Sequence, residues 1–328
     1  MMTRNLKVFL AASVGSVSVW WGINALNEAL TDVFFAYEMR TNPAVLAATA
    51  AQLELEQQIQ EAYPLAQKGG ERLEIHAKAA LALYAREDGT IKILFQKGGE
   101  KPLPIASITK LMAALVAIKN YPPTQHVTIT REILETPGEA GQLQEGDVLP
   151  VKDLLYLILM ESSNDAAVAL AALLGEEQFV TKMNEEAGRL ALRNTRFINP
   201  TGLDEPEGSN ESTARDLAQF ARYLLNTHPQ IFDILSQSEL PLYAPDGLLH
   251  HLMRNTNELL GYYDWPAKIL GGKTGTTPAA GQTLLFVVES PSADGYIINV
   301  ILGSEARFTE MRQLLHWILE TYEWEFGN

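Results

Sequence analysis

Apolar positions along this chain follow two rhythms, and the change from one to the other marks out its elements. Residues 80–85 and 91–96 are apolar-rich runs of strand length, joined at Asp88-Gly89, a dipeptide that suits a tight hairpin turn. From 107 to 119 the apolar residues recur at helical spacing and stop before Pro122-Pro123. Residues 151–160 and 166–174 predict two more helices, separated by a polar turn at 161–165, and residues 177–190 and 213–226 predict a further two. Strand-like runs return at 268–276, 282–288 and 296–302, and an amphipathic helix from Arg307 to about Phe326 closes the chain. Strands at both ends of a helical middle predict one sheet assembled from distant segments, an α+β plan.

The first 72 residues read differently. Arg4 and Lys7 precede an uncharged stretch, residues 8–26, long enough at about 1.5 Å per residue to cross most of a bilayer. Trp20 and Trp21 sit towards its far end, where amphipathic rings favour the interface. Positive residues ahead of the span predict a cytoplasmic amino terminus, a single-pass anchor at 1–27 and everything later outside the membrane. The rival is a cleaved signal peptide, which would make the protein secreted. The apolar core is longer than a usual signal core, and tryptophans stand where small cleavage-site residues belong, so an uncleaved anchor is the expectation. Thr41 or Asn42 can cap a helix opened by Pro43, and residues 44–63 are rich in helix formers before Pro64 and Gly69-Gly70 end them. Their apolar positions are mostly alanine, which predicts a stalk within 28–72 rather than a core element. Folded character is expected from Leu73 to the end, 73–328.

Composition narrows the function. With 47% apolar and 20% charged residues in 328, the chain can bury a sizeable core. A formal charge of −15 argues against capture of nucleic acid, and the absence of cysteine removes disulfides, thiolate metal sites and cysteine catalysis. No metal ligand set and no cofactor fingerprint stands out. The six histidines show no Ser-His-Asp pattern.

Three short motifs carry the chemistry: Ser107-Ile108-Thr109-Lys110, Ser162-Ser163-Asn164 and Lys273-Thr274-Gly275. Ser107 and Lys110, three apart at a helix start, share one face, so the lysine can reach the hydroxyl. Lysine serves as a base only if burial or another cation lowers its pKa, and Lys273 is the obvious second cation. The helix amino terminus would also place backbone N–H groups near a developing oxyanion. Ser162 and Asn164 lie in a polar turn that can point into a cleft, available for proton relay and amide recognition. In the third motif Gly275 lets a ligand backbone approach while Lys273 and Thr274 can bind a carboxylate. Each motif alone has a plainer reading: a serine cap with a surface lysine, a serine-rich helix cap, and an edge strand guarded by lysine.

Together with Pro104-Ile105-Ala106 ahead of Ser107, Glu161 ahead of Ser162, Phe197-Ile198-Asn199-Pro200-Thr201-Gly202-Leu203-Asp204, and the stretches 212–218, 254–257 and 272–277, these motifs resemble the serine-type D-Ala-D-Ala carboxypeptidases among the low-molecular-mass penicillin-binding proteins. The resemblance covers about three quarters of the chain, residues 79–319. It implies a β-lactamase/transpeptidase-like fold, with an antiparallel sheet flanked by helices and a mostly helical second lobe. It also implies the peptidoglycan stem peptide as substrate and β-lactams as covalent inhibitors. Ser107 would attack the carbonyl between the two terminal D-alanines, Lys110 would accept its proton, and Ser162, held by Asn164, would pass a proton to the leaving D-alanine. Lys273, Thr274 and Gly275 would hold substrate near its carboxylate with help from Arg307, and the oxyanion would sit between the backbone N–H groups of Ser107 and Thr276. Two features depart from the family. Relatives often continue into a β-domain and a carboxy-terminal anchor helix, whereas here the last helix ends the sequence and anchoring is expected at the amino terminus. Thr276 and Thr277 also follow Lys-Thr-Gly at positions where relatives vary.

A D,D-endopeptidase that cuts cross-links would use the same site and stays open as an alternative. A class A β-lactamase fits less well, because residues 199–204 take the carboxypeptidase-like form. A β-lactam sensor would need a cytoplasmic signalling domain, and only about seven residues precede the apolar stretch.

Overall fold

The computed structural model describes residues 73–324 except 139 and 262–266, together with Asn42, Pro64 and Ala66. The apolar stretch 8–26 and the expected stalk helix 44–63 lie outside the described residues. Among the described residues, no helix is long and apolar enough to cross a membrane. The compact unit that carries the motifs lies within residues 63–328. Ala66 forms a bridge with Tyr322, and the Lys92 ammonium donates to the Pro64 carbonyl at 2.8 Å.

Seven longer strands follow along the chain: β1 (Ala79–Arg86), β2 (Ile91–Lys97), β3 (Glu239–Tyr243), β4 (Leu249–Arg254), β5 (Ile269–Thr277), β6 (Gly281–Glu289) and β7 (Gly295–Ser304). β3 and β4 pair as a hairpin of their own, and the other five form one antiparallel sheet in the order β2-β1-β7-β6-β5. As predicted, the two ends of the chain meet in it, and the Asp88-Gly89 turn joins β1 to β2. Both faces of the central strands are buried. On one face Leu81, Leu83, Leu285, Val287, Ile298 and Val300 pack against the helical lobe. On the other, Tyr84, Leu284, Phe286, Ile297 and Ile301 meet the closing helix through Met311, Leu314 and Ile318. That double burial is why these strands read as continuous apolar runs.

The closing helix spans Arg307–Thr321, ending before the predicted Phe326, because Tyr322 turns extended and returns its hydroxyl to the Leu94 carbonyl. In the helical lobe, α1 (Lys110–Asn120) is buried on every side from Lys110 to Ala117. A helix apolar all round belongs at the centre of a lobe. The lobe also holds α2 (Arg131–Leu134), α3 (Val151–Tyr156), α4 (Asn164–Ala172), α5 (Glu176–Arg189), α6 (Ala214–Thr227) and α7 (Gln230–Leu235), of which α4 and α5 pack directly on α1.

Two local expectations need correction. Ser107 does not open the α-helix; it sits in a separate 3₁₀ turn, Ala106–Thr109, immediately before α1. The predicted helix 151–160 is α-helical only to Tyr156 and continues as a π turn, Leu157–Glu161, ending at Ser162 in the left-handed conformation. The β3–β4 hairpin was not predicted, although Pro245-Asp246-Gly247 between its strands is a strong turn signal.

Candidate active site

The three motifs meet where the sheet joins the helical lobe. Lys110, first residue of α1, is fully buried, and its amine lies 3.1 Å from Ser107 Oγ, 2.7 Å from Asn164 Oδ1 and 2.6 Å from the Thr201 carbonyl oxygen. Burial, and secondarily the charge of Lys273, holds its pKa well below the ordinary lysine value. A neutral amine has two N–H donors and one lone pair. The Asn164 and Thr201 oxygens can only accept, so in the neutral form they would take both hydrogens and leave the lone pair facing the Ser107 hydroxyl. That is the arrangement a general base needs.

Lys273 comes from β5, an edge strand of the sheet. It is not the solvent-facing guard lysine of an ordinary edge; it is fully buried and donates to Ser162 Oγ at 2.9 Å and to the Thr274 carbonyl at 3.0 Å. Burial first, then the nearby Arg307 charge, pushes its pKa down to about 7. The two-residue period of the strand puts Gly275 on the same side as Lys273, against the nucleophile's turn. A Cβ at Gly275 would stand 2.8 Å from the Ser107 backbone nitrogen and 2.6 Å from Thr283 Oγ1, so only glycine allows this approach. Thr283 in turn donates to the Ile105 carbonyl at 3.2 Å, pinning the turn to β6.

Asn164 holds Lys110, not Ser162 as expected: its Oδ1 accepts from the lysine and its Nδ2 donates to the Pro137 carbonyl at 2.7 Å. Arg307 lies beside this group, with Nη1 donating to the Gly275 carbonyl at 2.7 Å and to Thr276 Oγ1 at 2.6 Å. Its Nε is buried without a partner among the described residues, and burial lowers its pKa. Thr274 Oγ1 lies 2.6 Å from Thr256 Oγ1. Thr276 is exposed at the mouth beside Arg307. Lys273 and Arg307 thus gather cationic groups locally in a chain of net charge −15, a field that favours a carboxylate.

Two functional positions carried no chemical signal in the sequence. Thr201 acts through its backbone carbonyl, which residue identity does not advertise. Gly202, with φ of +86°, lets residues 199–202 lie directly on the Ala106–Ser107 peptide. Asn199 Oδ1 closes that loop by accepting from the Gly202 N–H at 2.8 Å and the Thr201 hydroxyl at 3.1 Å.

A hydroxyl paired with a buried lysine base, in an α+β fold with the second serine and second lysine opposite, defines a serine–lysine acyl-transfer enzyme. The sequence model of the D-alanyl-D-alanine carboxypeptidase family matches residues 66–306, and the chain belongs to this family of serine peptidases. It is 32% identical to a D-alanyl-D-alanine endopeptidase of Pseudomonas aeruginosa over 71% of this chain and 74% of that protein. It is also 32% identical to the D-alanyl-D-alanine carboxypeptidase DacC of Escherichia coli, over 71% of this chain but 59% of that protein. A Mycobacterium tuberculosis D-alanyl-D-alanine carboxypeptidase structure superposes with a TM-score of 0.68 at 26% identity, covering 78% of this chain and 96% of that one. A Listeria monocytogenes penicillin-binding protein in its cefotaxime-bound form gives a TM-score of 0.65 at 27% identity, covering 76% and 99%.

Proposed function

We propose that this protein is a serine-type D-Ala-D-Ala carboxypeptidase that removes the terminal D-alanine from peptidoglycan stem pentapeptides through an acyl-enzyme on Ser107. The fully buried Lys110 amine 3.1 Å from Ser107 Oγ carries the reading. Lys110 takes the serine proton as Oγ attacks the penultimate carbonyl, and the oxyanion forms between the Ser107 and Thr276 backbone N–H groups. Lys110 then gives that proton up, with Ser162, hydrogen-bonded to Lys273, passing it on to the departing D-alanine nitrogen. Arg307, Thr276, Thr274 and Lys273 receive the terminal carboxylate, and Gly275 leaves room for the peptide. Water then releases the shortened stem, with Lys110 again the base. A β-lactam acylates the same oxygen. Residues 8–26 would anchor the protein, with the catalytic unit on the outer side of the membrane.

Endopeptidase cleavage of cross-links is the second reading, supported by the larger share of the Pseudomonas aeruginosa endopeptidase that the chain covers. Incubating the purified protein with a stem pentapeptide, and separately with cross-linked muropeptides, separates the two. Faster release of free D-alanine from the pentapeptide is expected. Preferential conversion of cross-linked dimers to monomers would replace the carboxypeptidase reading with the endopeptidase one, and neither product would refute both. For the anchor, the full chain is expected in the membrane fraction with its catalytic unit protease-accessible from outside. A mature amino terminus between residues 26 and 30 would show a cleaved signal instead.

A further inference from the structure

Two of the histidines that form no pattern in the sequence stand directly behind the Ser162 turn. They are neighbours on β4, where strand geometry would send their side chains to opposite faces. The pairing prevents this. Leu242 is opposite His251 and Tyr243 is opposite Leu249, so His250 is the extra residue of a bulge. Bulges re-aim side chains, and here the two rings meet, with centroids 5.0 Å apart and Nδ1 atoms 2.7 Å apart. At that distance one ring donates and the other accepts, because two lone pairs or two N–H groups could not face each other. The outer nitrogens then end on carboxylates. His250 Nε2 lies 3.3 Å from Asp147 Oδ2, and His251 Nε2 lies 2.8 Å from Glu161 Oε2.

Glu161 is the residue before Ser162. Its other oxygen accepts from the Arg254 backbone N–H at 3.3 Å, and the Thr256 N–H donates to the Met160 carbonyl at 3.0 Å. Residues 251–256 therefore lace along residues 160–161, the last turn before Ser162. Ser162 itself has a φ of +64°, a left-handed conformation that costs a residue other than glycine about 1 kcal/mol or more. Surrounding contacts must hold it there, and buried His251 with its half-buried partner His250 is among them.

We propose that His251, aligned by His250 and Asp147, is a positioning residue for Ser162: it fixes Glu161, and with it the turn that presents the Ser162 hydroxyl to Lys273. The proposal rests on the reading that Ser162 transfers a proton during acylation.

The test uses the full-length protein in detergent and a fluorescent penicillin, with stopped-flow traces separating the first-order acylation constant from the dissociation constant of the encounter complex. Losing one charge-assisted hydrogen bond, His251→Ala is expected to lower the first-order constant about tenfold while the dissociation constant stays within about twofold. His251→Gln can place an amide N–H where Nε2 stood, and is expected to recover the constant to within about threefold of the parent. A merely structural role would not give that split with rescue. An unchanged constant in folded His251→Ala, or a loss that His251→Gln does not restore, overturns the proposal. If His251→Ala does not fold, Glu161→Gln takes its place: a comparable fall supports the proposal and an unchanged constant overturns it. Ser162→Ala is run alongside. Parent-like acylation there would refute the proton-transfer role on which the proposal rests. Loss in Ser162→Ala with parent-like His251→Ala and Glu161→Gln would overturn the positioning role alone.

Discussion

Gly202→Ala tests the site through a residue that has no chemistry of its own. An added Cβ would stand 2.0 Å from the Ala106 carbonyl oxygen, 2.4 Å from its carbon and 3.0 Å from the Ser107 nitrogen. All three are backbone atoms, so no flexible side chain can swing aside. Restoring ordinary van der Waals contact requires one backbone to retreat by about 1 Å or more. If residues 199–202 move, the Thr201 carbonyl leaves Lys110, which it holds at 2.6 Å. If the turn at 106–109 moves, Ser107 leaves its base. Either displacement misaligns the serine–lysine pair, and about 1 Å of misplacement can cost about 100-fold in rate. The φ of +86° adds about 1–2 kcal/mol for a residue with a Cβ, and residual overpacking about 1–3 kcal/mol. The expected result is acylation about 100-fold slower per folded molecule, with a stability loss of about 2–5 kcal/mol. The assay is the rate of labelling by fluorescent penicillin, normalised to the folded fraction from a urea melt. Folded Gly202→Ala that labels within about threefold of the parent would refute the claim that this contact sets the serine–lysine geometry.

Three further outcomes follow from the same geometry. Lys110→Arg should abolish acylation, since a guanidinium keeps its proton; slow but definite labelling would remove lysine as the base. Lys273→Met should change how stability depends on pH. With Lys273 pushed down to about 7 in the folded state from 10.5, the unfolded chain binds more protons between those values, so stability rises with pH across that window. Urea melts at pH 7 and pH 9 should show a shallower rise in Lys273→Met, together with an acidic limb of acylation moved upward as repulsion on Lys110 is lost; an identical rise in both proteins would contradict the buried, low-pKa lysine. Asn164→Asp would give Lys110 a carboxylate in place of the amide oxygen 2.7 Å away, which favours the ammonium form. Its acidic limb should move upward in pH, and an unmoved limb in a folded variant would show that Asn164 does not face the base.

What the sequence made legible follows from what buries each element. α1 and the strands β1, β6 and β7 are surrounded by apolar side chains, so their identity is written in consecutive residues. The site depends on partners far along the chain. Lys110 reads as a polar residue at a helix start, and the oxygens that hold it belong to Asn164 and Thr201, 54 and 91 residues away. The left-handed backbone at Ala106 and Ser162 is equally silent, because neither residue type favours it. The β3–β4 hairpin was obscured for a different reason: Leu248, Leu249, Leu252 and Tyr243 are exposed, so its polar–apolar pattern does not mark a buried face. Its turn residues were the available signal.

The source of Lys110's basicity is where sequence and structure differ most usefully. The sequence makes Lys273 the evident cation to depress it. In the folded protein burial comes first and Lys273 second. With its own pKa near 7, Lys273 carries only part of a charge around neutral pH, so its repulsion there is reduced as well. A substrate carboxylate arriving beside Lys273 would favour the charged lysine and at the same time screen it from Lys110. Burial of Lys110 between Asn164 and the Thr201 carbonyl does not depend on that exchange. The burial that lowers the Lys110 pKa therefore acts whether or not the carboxylate site is filled, which would allow one lysine to bind substrate charge while the other still accepts a proton.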